Sequence, residues 1–176
     1  IERASCFVVC IGGYLDRFDI LYKEDNTIKD SKEVRSYLQS KKKKLFSYEI
    51  FENLDLSKGN YEELEFQFSS FVGCNFTQSS WNKSHLLFSN LQNTMLKNTK
   101  MEKMKIFDTD FSGATLEQVD FAGAKIKHVS FAGAKLIQVD FSKVLLAEEI
   151  NFQDAQIVDC KLPEEVGSGL LYHENR

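Results

Sequence analysis

The chain has 176 residues, of which 43% are hydrophobic and 27% are charged, and its formal net charge is −4 at pH 7. This apolar content is too high for a disordered chain, and the longest apolar run, residues 6–11, is far shorter than the roughly 20 residues of a membrane-spanning helix. No segment is basic enough to indicate direct binding to nucleic acid, so we expect a globular protein that does not insert into membranes.

Residues 1–50 are predicted to form a nonrepeat capping segment of short strands followed by a helix at residues 31–43. Asp30, followed three residues later by Glu33, fits the pattern of a helix N-terminal cap. The run of four lysines at residues 41–44 is interpreted as a solvated helix end or linker, because runs of like charge are usually exposed.

From residue 51 onward the sequence repeats with a period of five. Every fifth residue is apolar, at twenty positions out of twenty up to Leu146, which chance would produce in fewer than about one in a million sequences of this composition. One residue is then inserted near residues 147–149, after which the period resumes at residue 152 and continues to residue 162. These positions are predicted to point inward, and their aromatic members form a core ladder that includes Phe71, Phe76, Trp81, Phe111, Phe121, Phe131, Phe141 and Phe152.

A period of five fits neither a helix nor a flat strand. A five-residue step rotates a helix by about 140°, which scatters the apolar positions, and in a strand an odd period places them on opposite faces. Gly or Asn often follows the apolar centre by two residues, as at Gly73 and Asn93, and these residues accept the positive φ of a corner. We therefore predict that each pentad turns a corner, so that four pentads close one square coil and residues 51–162 make five to six coils.

This pattern, as in Phe111-Ser-Gly-Ala-Thr-Leu116, resembles that of the pentapeptide-repeat family over residues 51–162. The resemblance implies a mainly β fold, a right-handed quadrilateral parallel β-helix, to which residues 1–50 would add a small α/β cap. Residues 163–176 are expected to form a C-terminal cap or tail. Within this tail, residues 170–172 would plug the terminal coil or make a dimer contact, so that the protein is a monomer or an end-to-end dimer.

The sequence lacks the motifs of known enzyme sites, and we expect no catalytic activity, no cofactor and no metal. His85 and His128 are predicted to lie apart on the surface. Cys74 and Cys160 fall in a column of small inward residues, and Cys6 and Cys10 lie in an apolar run that suggests burial. Four unpaired thiols suit a reducing compartment, so the expected location is the cytoplasm.

Two surfaces are candidates for function. Some pentapeptide-repeat proteins protect DNA gyrase, and the resemblance suggests that an acidic face of Asp110, Asp120 and Asp140 mimics DNA. However, residues 51–162 carry 15 acidic and 11 basic groups, so a continuous ladder of negative charge is not evident.

The other candidate surface is apolar. Phe68 and Phe88, twenty residues apart, are predicted to share one outward position, with Leu87 and Phe107 beside them. Either residues 1–50 fold back over this surface or a partner protein binds it, and the two alternatives can coexist.

The preferred function is therefore a noncatalytic protein–protein interaction scaffold with a protein partner of unknown identity. Because similar β-helical modules occur in bacterial effectors and the first residue is Ile rather than Met, a bacterial effector, or a fragment of one, is a candidate identity for this scaffold; as an effector it would act in virulence and be secreted into a host cytosol. The alternative is a DNA-mimicking inhibitor or protector of a topoisomerase such as gyrase.

Overall fold

The computed structural model describes residues 30–40 and 44–163. Helix α1 (Ser31–Gln39) begins at Asp30, whose side chain accepts a hydrogen bond of 2.9 Å from the backbone N–H of Lys32. The helix buries Val34 and Leu38 and ends at Gln39, so it is shorter than the predicted helix over residues 31–43.

A stack of short parallel strands follows the helix. The strands within the described residues are β1 (Leu45–Ser47), β2 (Glu65–Gln67), β3 (His85–Leu87), β4 (Met95–Lys97), β5 (Lys105–Asp110), β6 (Thr115–Glu117), β7 (Lys125–Ser130), β8 (Lys135–Ile137), β9 (Leu146–Asn151) and β10 (Gln156–Val158). Successive strands of the larger sheet pair in order β1-β2-β3-β5-β7-β9, and the smaller sheet has the order β10-β8-β6-β4. The register places Phe46 beside Phe66 and Phe66 beside Leu86, so one coil contains twenty residues.

The six-stranded sheet corresponds to six coils, and the predicted quadrilateral parallel β-helix is confirmed. The centres of the smaller sheet, such as Leu96, follow those of the larger sheet, such as Leu86, by ten residues, which is half a coil. The two sheets therefore form opposite sides of the square coil.

Corners with positive φ explain the period of five. Gly73 has φ 69° and Asn93 has φ 58°, each two residues after an inward centre. A Cβ at Gly73 would meet Oδ1 of Asn53 in the coil below, so another residue at this corner would require the Asn53 side chain to shift as well as a left-handed backbone. Many other corners use non-glycine residues, which adopt this left-handed region at an energetic cost.

The inward centres form one continuous core. All eight aromatic residues predicted for the core ladder are at most 2% exposed. Phe131, for example, stacks between Phe111 and Phe152 with ring-centroid distances of 5.3 and 5.4 Å. The small residues beside the centres are also buried, and their hydroxyl groups bond to the backbone, as when Ser84 Oγ donates to the carbonyl oxygen of Tyr61 at 2.6 Å.

The coils differ from the predicted boundaries in two places. Phe46 is fully buried and stacks on Phe66 at 5.0 Å, so the regular ladder begins within the segment assigned to the cap. The predicted insertion after Leu146 is wrong, because Leu146 pairs with the outward Lys125 and Ala147 pairs with the inward Ile126. The extra residue therefore lies before Leu146, where the chain turns into β9.

In the part of the chain that the structure describes, no helix is long and apolar enough to cross a membrane.

Candidate protein-interaction face

Three aromatic residues form a stacked column on the outside of the larger sheet, which we call the aromatic stripe: Tyr48, Phe68 and Phe88. Their ring centroids are 5.1 and 5.0 Å apart, and each pair of rings is tilted by only 8°. The side chains superpose because the residues are twenty positions apart and each occupies the same corner, with φ of 58°, 52° and 52°. Tyr48 is 65% exposed and Phe88 is 48% exposed, so the edges of these rings face outward.

Leu87 and Phe107 extend the apolar surface beside the aromatic stripe. They are Cα partners in β3 and β5, and both are half-buried. Leu45 and Ile50, on the first coil, are 48% and 56% exposed. The structure thus brings together the four predicted binding residues, Phe68, Leu87, Phe88 and Phe107, on one face. It adds Tyr48, which had been assigned to the cap.

Lysine residues lie beside the Phe107 end of this apolar surface. Lys105 and Lys125 are exposed Cα partners on β5 and β7, and Lys105 lies two residues before Phe107 on the same side of its strand. Lys127, the Cα partner of Phe107, forms an ion pair of 3.0 Å with Glu148. The hydrogen bond to this carboxylate and its negative charge raise the pKa of Lys127.

The column of the aromatic stripe becomes polar in the later coils. His128 lies between two carboxylates, with Nδ1 3.1 Å from Asp108 Oδ1 and Nε2 2.9 Å from Glu149 Oε1. All three residues have positive φ, like the aromatic residues before them. His85 lies in a neighbouring column, as the Cα partner of Lys105, with its Nδ1 atom 3.7 Å from Glu65 Oε2. One column of the coil therefore carries rings in its first half and an acid–base–acid ladder in its second half.

The predicted acidic face is not continuous. Asp120 and Asp140 are neighbours, but Lys100 and Lys161 flank them in the same column, and Lys161 Nζ is 3.1 Å from Asp140 Oδ2. Grouping Asp110 with them was wrong: it lies half a coil away, in a column with Asn90 and Ser130. A half-coil offset puts a residue on the opposite side of the rod, so these three carboxylates cannot form one charged row.

These aspartates instead stabilise the corners. The Oδ1 atom of each accepts a hydrogen bond of 2.8–2.9 Å from the backbone N–H two residues later, which is an Asx turn. The pKa of Asp140 is lowered to about 2, first because the hydroxyl and backbone N–H of Ser142 donate to it, and further because of Lys161. Asn75 and Asn90 make the same backbone contact without a charge, so the carboxylate is not required for this role.

Helix α1 covers the end of the first coil. Ser31 Oγ accepts from the backbone N–H of Asp55 at 2.9 Å, and an Arg35 guanidinium nitrogen donates to the Asp55 carbonyl oxygen at 2.9 Å. The ring of Tyr37 packs edge-on against Phe46 at 5.3 Å. The expectation that the front segment also covers the apolar face concerns residues 1–29, which lie outside the described residues.

Cys74 and Cys160 occupy the inward small column. Cys74 is fully buried, and burial raises the pKa of its thiol to about 12, whereas Cys160 is partly exposed. Cys6, Cys10 and residues 164–176, including the predicted C-terminal plug, lie outside the described part. Within residues 30–40 and 44–163, no group of three or more His, Cys, Asp or Glu side chains could hold a metal ion.

The geometry defines a class of protein: a parallel β-solenoid in which each side of a square coil is one five-residue unit. A family model for the pentapeptide repeat region matches residues 74–165, just over half of the chain. The chain belongs to the pentapeptide-repeat family.

Two solved structures are similar to this chain. One is a trypsin-treated variant of QnrB1, a plasmid-mediated fluoroquinolone resistance protein, with 21% identity, a TM-score of 0.61 and coverage of 66% of this chain and 58% of that one. The other is the pentapeptide repeat protein Rfr23 from the cyanobacterium Cyanothece, with 14% identity, a TM-score of 0.52 and coverage of 80% and 97%. At these identities the similarity establishes the fold alone. No curated protein matches the sequence.

Proposed function

We propose that this chain is a noncatalytic scaffold that binds a partner protein through the aromatic stripe and the adjoining Leu87 and Phe107. The observation that carries the proposal is the stack of three rings at corners with positive φ, in which Tyr48 and Phe88 are exposed. Contiguous apolar surface of this kind usually marks an interface, because exposing it to water has an energetic cost that a partner removes.

The choice of residue at this corner supports the proposal. The corner requires the left-handed region, which Gly, Asn and Asp adopt most readily, and other corners of the rod carry Gly73, Asn93 or Asn98. Bulky aromatic side chains are unfavourable in this conformation. Ring stacking contributes about 0.5–1.5 kcal/mol per pair, which offsets part of the conformational cost of these corners. Stacking alone does not explain why the outer edges of Tyr48 and Phe88 are exposed.

Surface charge argues against the DNA-mimic alternative. A protein that imitates duplex DNA needs closely spaced negative charges along its length. Here Lys100 and Lys161 interrupt the column that holds Asp120 and Asp140, and Asp110 lies across the rod. The similarity to QnrB1 concerns the fold and does not supply this missing row.

A capture experiment with matched variants tests the proposal. Phe88→Asp places on the aromatic stripe the residue type that already occupies the same corner one coil later, at Asp108, so the coil should tolerate it. Met95→Asp, at a 42% exposed apolar residue on the opposite sheet, introduces the same charge elsewhere. We expect a partner that binds the wild type and Met95→Asp to be lost from Phe88→Asp, while Asp120→Lys retains it. Equal capture by Phe88→Asp and Met95→Asp would contradict the proposal.

The alternative function is tested in parallel. A DNA gyrase supercoiling assay measures inhibition by the chain, or protection from quinolones, as a function of its concentration. A dose-dependent effect that Asp120→Lys abolishes and Phe88→Asp leaves intact would establish the DNA-mimic alternative instead. Capture from bacterial and from eukaryotic lysates separately tests the effector hypothesis, which predicts a eukaryotic partner.

A further inference from the structure

Four lysines cluster at one corner of the rod, which we call the basic corner: Lys103, Lys105, Lys125 and Lys143. All four are exposed, and none forms an ion pair with another residue in the described part of the chain. Lys105 and Lys125 are Cα partners on β5 and β7, and the carbonyl oxygen of Lys143 accepts a hydrogen bond of 2.9 Å from the backbone N–H of Gly123. The four lysines therefore lie within three successive coils, in the C-terminal half of the rod.

The side chain of Lys103 lies against the glycine corner of the next coil. A Cβ added at Gly123 would be 3.1 Å from Lys103 Cγ, and Gly123 has φ 71°. Because glycine has no side chain, the aliphatic part of the lysine leans along the rod towards the rest of the basic corner. Glu102, which precedes Lys103, forms no ion pair with a lysine among the described residues, and Glu148 is paired with Lys127 at 3.0 Å. The positive charge of the corner is therefore not neutralised by these neighbouring carboxylates.

A β-bulge turns Leu145 outward beside these lysines. The backbone N–H of Leu145 donates to the carbonyl oxygen of Ala124 at 2.8 Å, while Leu146 is the Cα partner of Lys125. Two leucines thus lie opposite one residue of the preceding coil, which is the arrangement of a bulge. Leu145 is 71% exposed, the largest exposed fraction among the large hydrophobic residues that the structure describes. The bulge therefore presents an exposed leucine next to Lys125 and Lys143.

The shape and chemistry of this corner fit a lipid surface. A leucine on a convex corner needs a matching pocket in a folded partner, whereas a fluid bilayer adapts its shape around the side chain. The charges are also of the less selective kind, since residues 44–163 contain no arginine, the residue that recognises phosphate groups through paired hydrogen bonds. Flexible lysines around an exposed leucine suit a layer of negatively charged headgroups above an apolar interior.

We infer that the basic corner and Leu145 bind the surface of an anionic lipid bilayer. The four ammonium groups lie among the headgroups, and Leu145 enters the boundary between the headgroups and the acyl chains. This attachment is peripheral and needs no membrane-spanning segment. It goes beyond the proposed protein-binding function, because the exposed rings of Tyr48 and Phe88 lie in other coils and stay accessible on a membrane-bound rod.

Co-sedimentation of the full chain with vesicles measures this binding. Vesicles of phosphatidylcholine with about one-third phosphatidylserine should retain the chain, and vesicles of phosphatidylcholine alone should not, because each lysine near an anionic surface strengthens binding about fivefold. Raising the NaCl concentration to about 0.5 M should release the chain, because salt then screens charges beyond about 4 Å.

A pair of double variants separates the basic corner from net charge. Lys125→Gln/Lys143→Gln should lower the affinity for phosphatidylserine vesicles roughly 25-fold, which is the effect of two lysines. Lys58→Gln/Lys135→Gln removes two exposed lysines elsewhere on the rod and should leave the affinity within about twofold of the wild type. Circular dichroism should show that both variants are folded, because all four side chains are exposed.

A second pair of variants tests the leucine. Leu145→Ser should lower the vesicle affinity about tenfold, because its side chain no longer leaves water on binding. Met95→Ser, at a 42% exposed apolar residue on the opposite sheet, should bind as the wild type does.

Replacing the leucine by tryptophan gives a readout that charge alone cannot produce. In Leu145→Trp, the fluorescence should shift to shorter wavelength with phosphatidylserine vesicles, and lipids with brominated acyl chains should quench it. Trp81, the tryptophan of the wild-type chain, is 1% exposed in the core and should not be quenched. Met95→Trp should show neither change.

Three results would overturn the inference: no preference for phosphatidylserine vesicles, equal affinities of Leu145→Ser and Met95→Ser, or no quenching of Leu145→Trp. Binding to heparin that Lys125→Gln/Lys143→Gln weakens and Leu145→Ser leaves unchanged, without binding to vesicles, would assign the corner to a soluble polyanion instead. The protein-binding function is tested independently. Phe88→Asp should bind vesicles as the wild type does, and Lys125→Gln/Lys143→Gln should still capture the protein partner, so either proposal can fail while the other stands.

Discussion

Replacing Asp120 separates a structural role for the corner aspartates from a role in DNA mimicry. Asp120 Oδ1 accepts a hydrogen bond of 2.9 Å from the backbone N–H of Ala122. Asp120→Asn keeps this oxygen and removes the charge, whereas Asp120→Ala removes both. If the Asx turn is the main role of the residue, the two substitutions should differ in stability even though they change the net charge equally.

The expected difference follows from one exposed hydrogen bond. A bond of this kind contributes about 0.5–1.5 kcal/mol, so Asp120→Ala should lower the free energy of unfolding by about 1 kcal/mol. Asp120→Asn should change it by less than about 0.5 kcal/mol, because exposed charges beside Lys100 and Asp140 interact weakly through water. With a urea dependence of about 2 kcal/mol per molar, the alanine variant should unfold at roughly 0.5 M less urea.

Equilibrium urea unfolding, followed by circular dichroism, measures these midpoints. Equal destabilisation by Asn and Ala would refute the Asx-turn interpretation, because the charge itself would then be what stabilises the coil. The triple variant Asp110→Asn/Asp120→Asn/Asp140→Asn extends the test to function. It should remain folded and should capture the same partner as the wild type, whereas a DNA mimic would lose its activity.

Three further predictions concern the core, the thiols and the response to acid. Phe131→Ala should lower the free energy of unfolding by about 3–5 kcal/mol in chemical denaturation, because a fully buried ring with stacked neighbours is removed, and a loss below about 2 kcal/mol would contradict the core ladder. Iodoacetamide at pH 8, with peptide mapping by mass spectrometry, should label the partly exposed Cys160 faster than Cys74, whose thiol has a pKa raised to about 12 by burial; equal rates would argue against burial of Cys74. Because folding lowers the pKa of Asp140 from 3.8 to about 2, its contribution to stability is complete above about pH 4 and is lost as the pH falls towards 2. Asp140→Asn should therefore flatten the pH dependence of the urea midpoint in this range, and an unchanged profile would count against the lowered pKa.

The fold could be predicted from sequence because one geometric rule governs it. Neither a helix nor a flat strand can place an apolar residue at every fifth position on one buried face, whereas the square coil can. The rule fails locally where several apolar residues adjoin. Residues 144–147 are Val-Leu-Leu-Ala, so the sequence offers two possible centres, and only the pairing of Ala147 with Ile126 shows that Leu146 is displaced outward.

The first coil was missed because its outward residues do not look like those of a repeat. Phe46 continues the period of five, but Lys41 does not, and Tyr48 and Ile50 place apolar residues where other pentads are polar. The spacing of twenty residues, which placed Phe68 and Phe88 in one outward position, also applies to Tyr48. Tyr48 precedes Phe68 by one coil, as Phe68 precedes Phe88, so extending this spacing towards the N-terminus would have added Tyr48 to the aromatic stripe.

The same distinction explains the error at Asp110. Position within a pentad determines only whether a side chain points inward, outward or into a corner, and by this criterion Asp110 and Asp120 are equivalent. Which side of the rod a residue occupies depends on its position within the twenty-residue coil, and ten residues place these two aspartates on opposite sides.

Function is therefore most visible where a column departs from what its position in the coil requires. Inward positions need apolar side chains, the residue before a centre benefits from an Asx turn, and corners accept Gly, Asn or Asp with the least strain. Aspartates before an inward centre and phenylalanines in the core meet these structural needs, so their presence does not indicate a function. Three consecutive aromatic residues in a single corner column do not meet them. A surface that has a conformational cost in the free protein is the surface that binding of a partner can stabilise most.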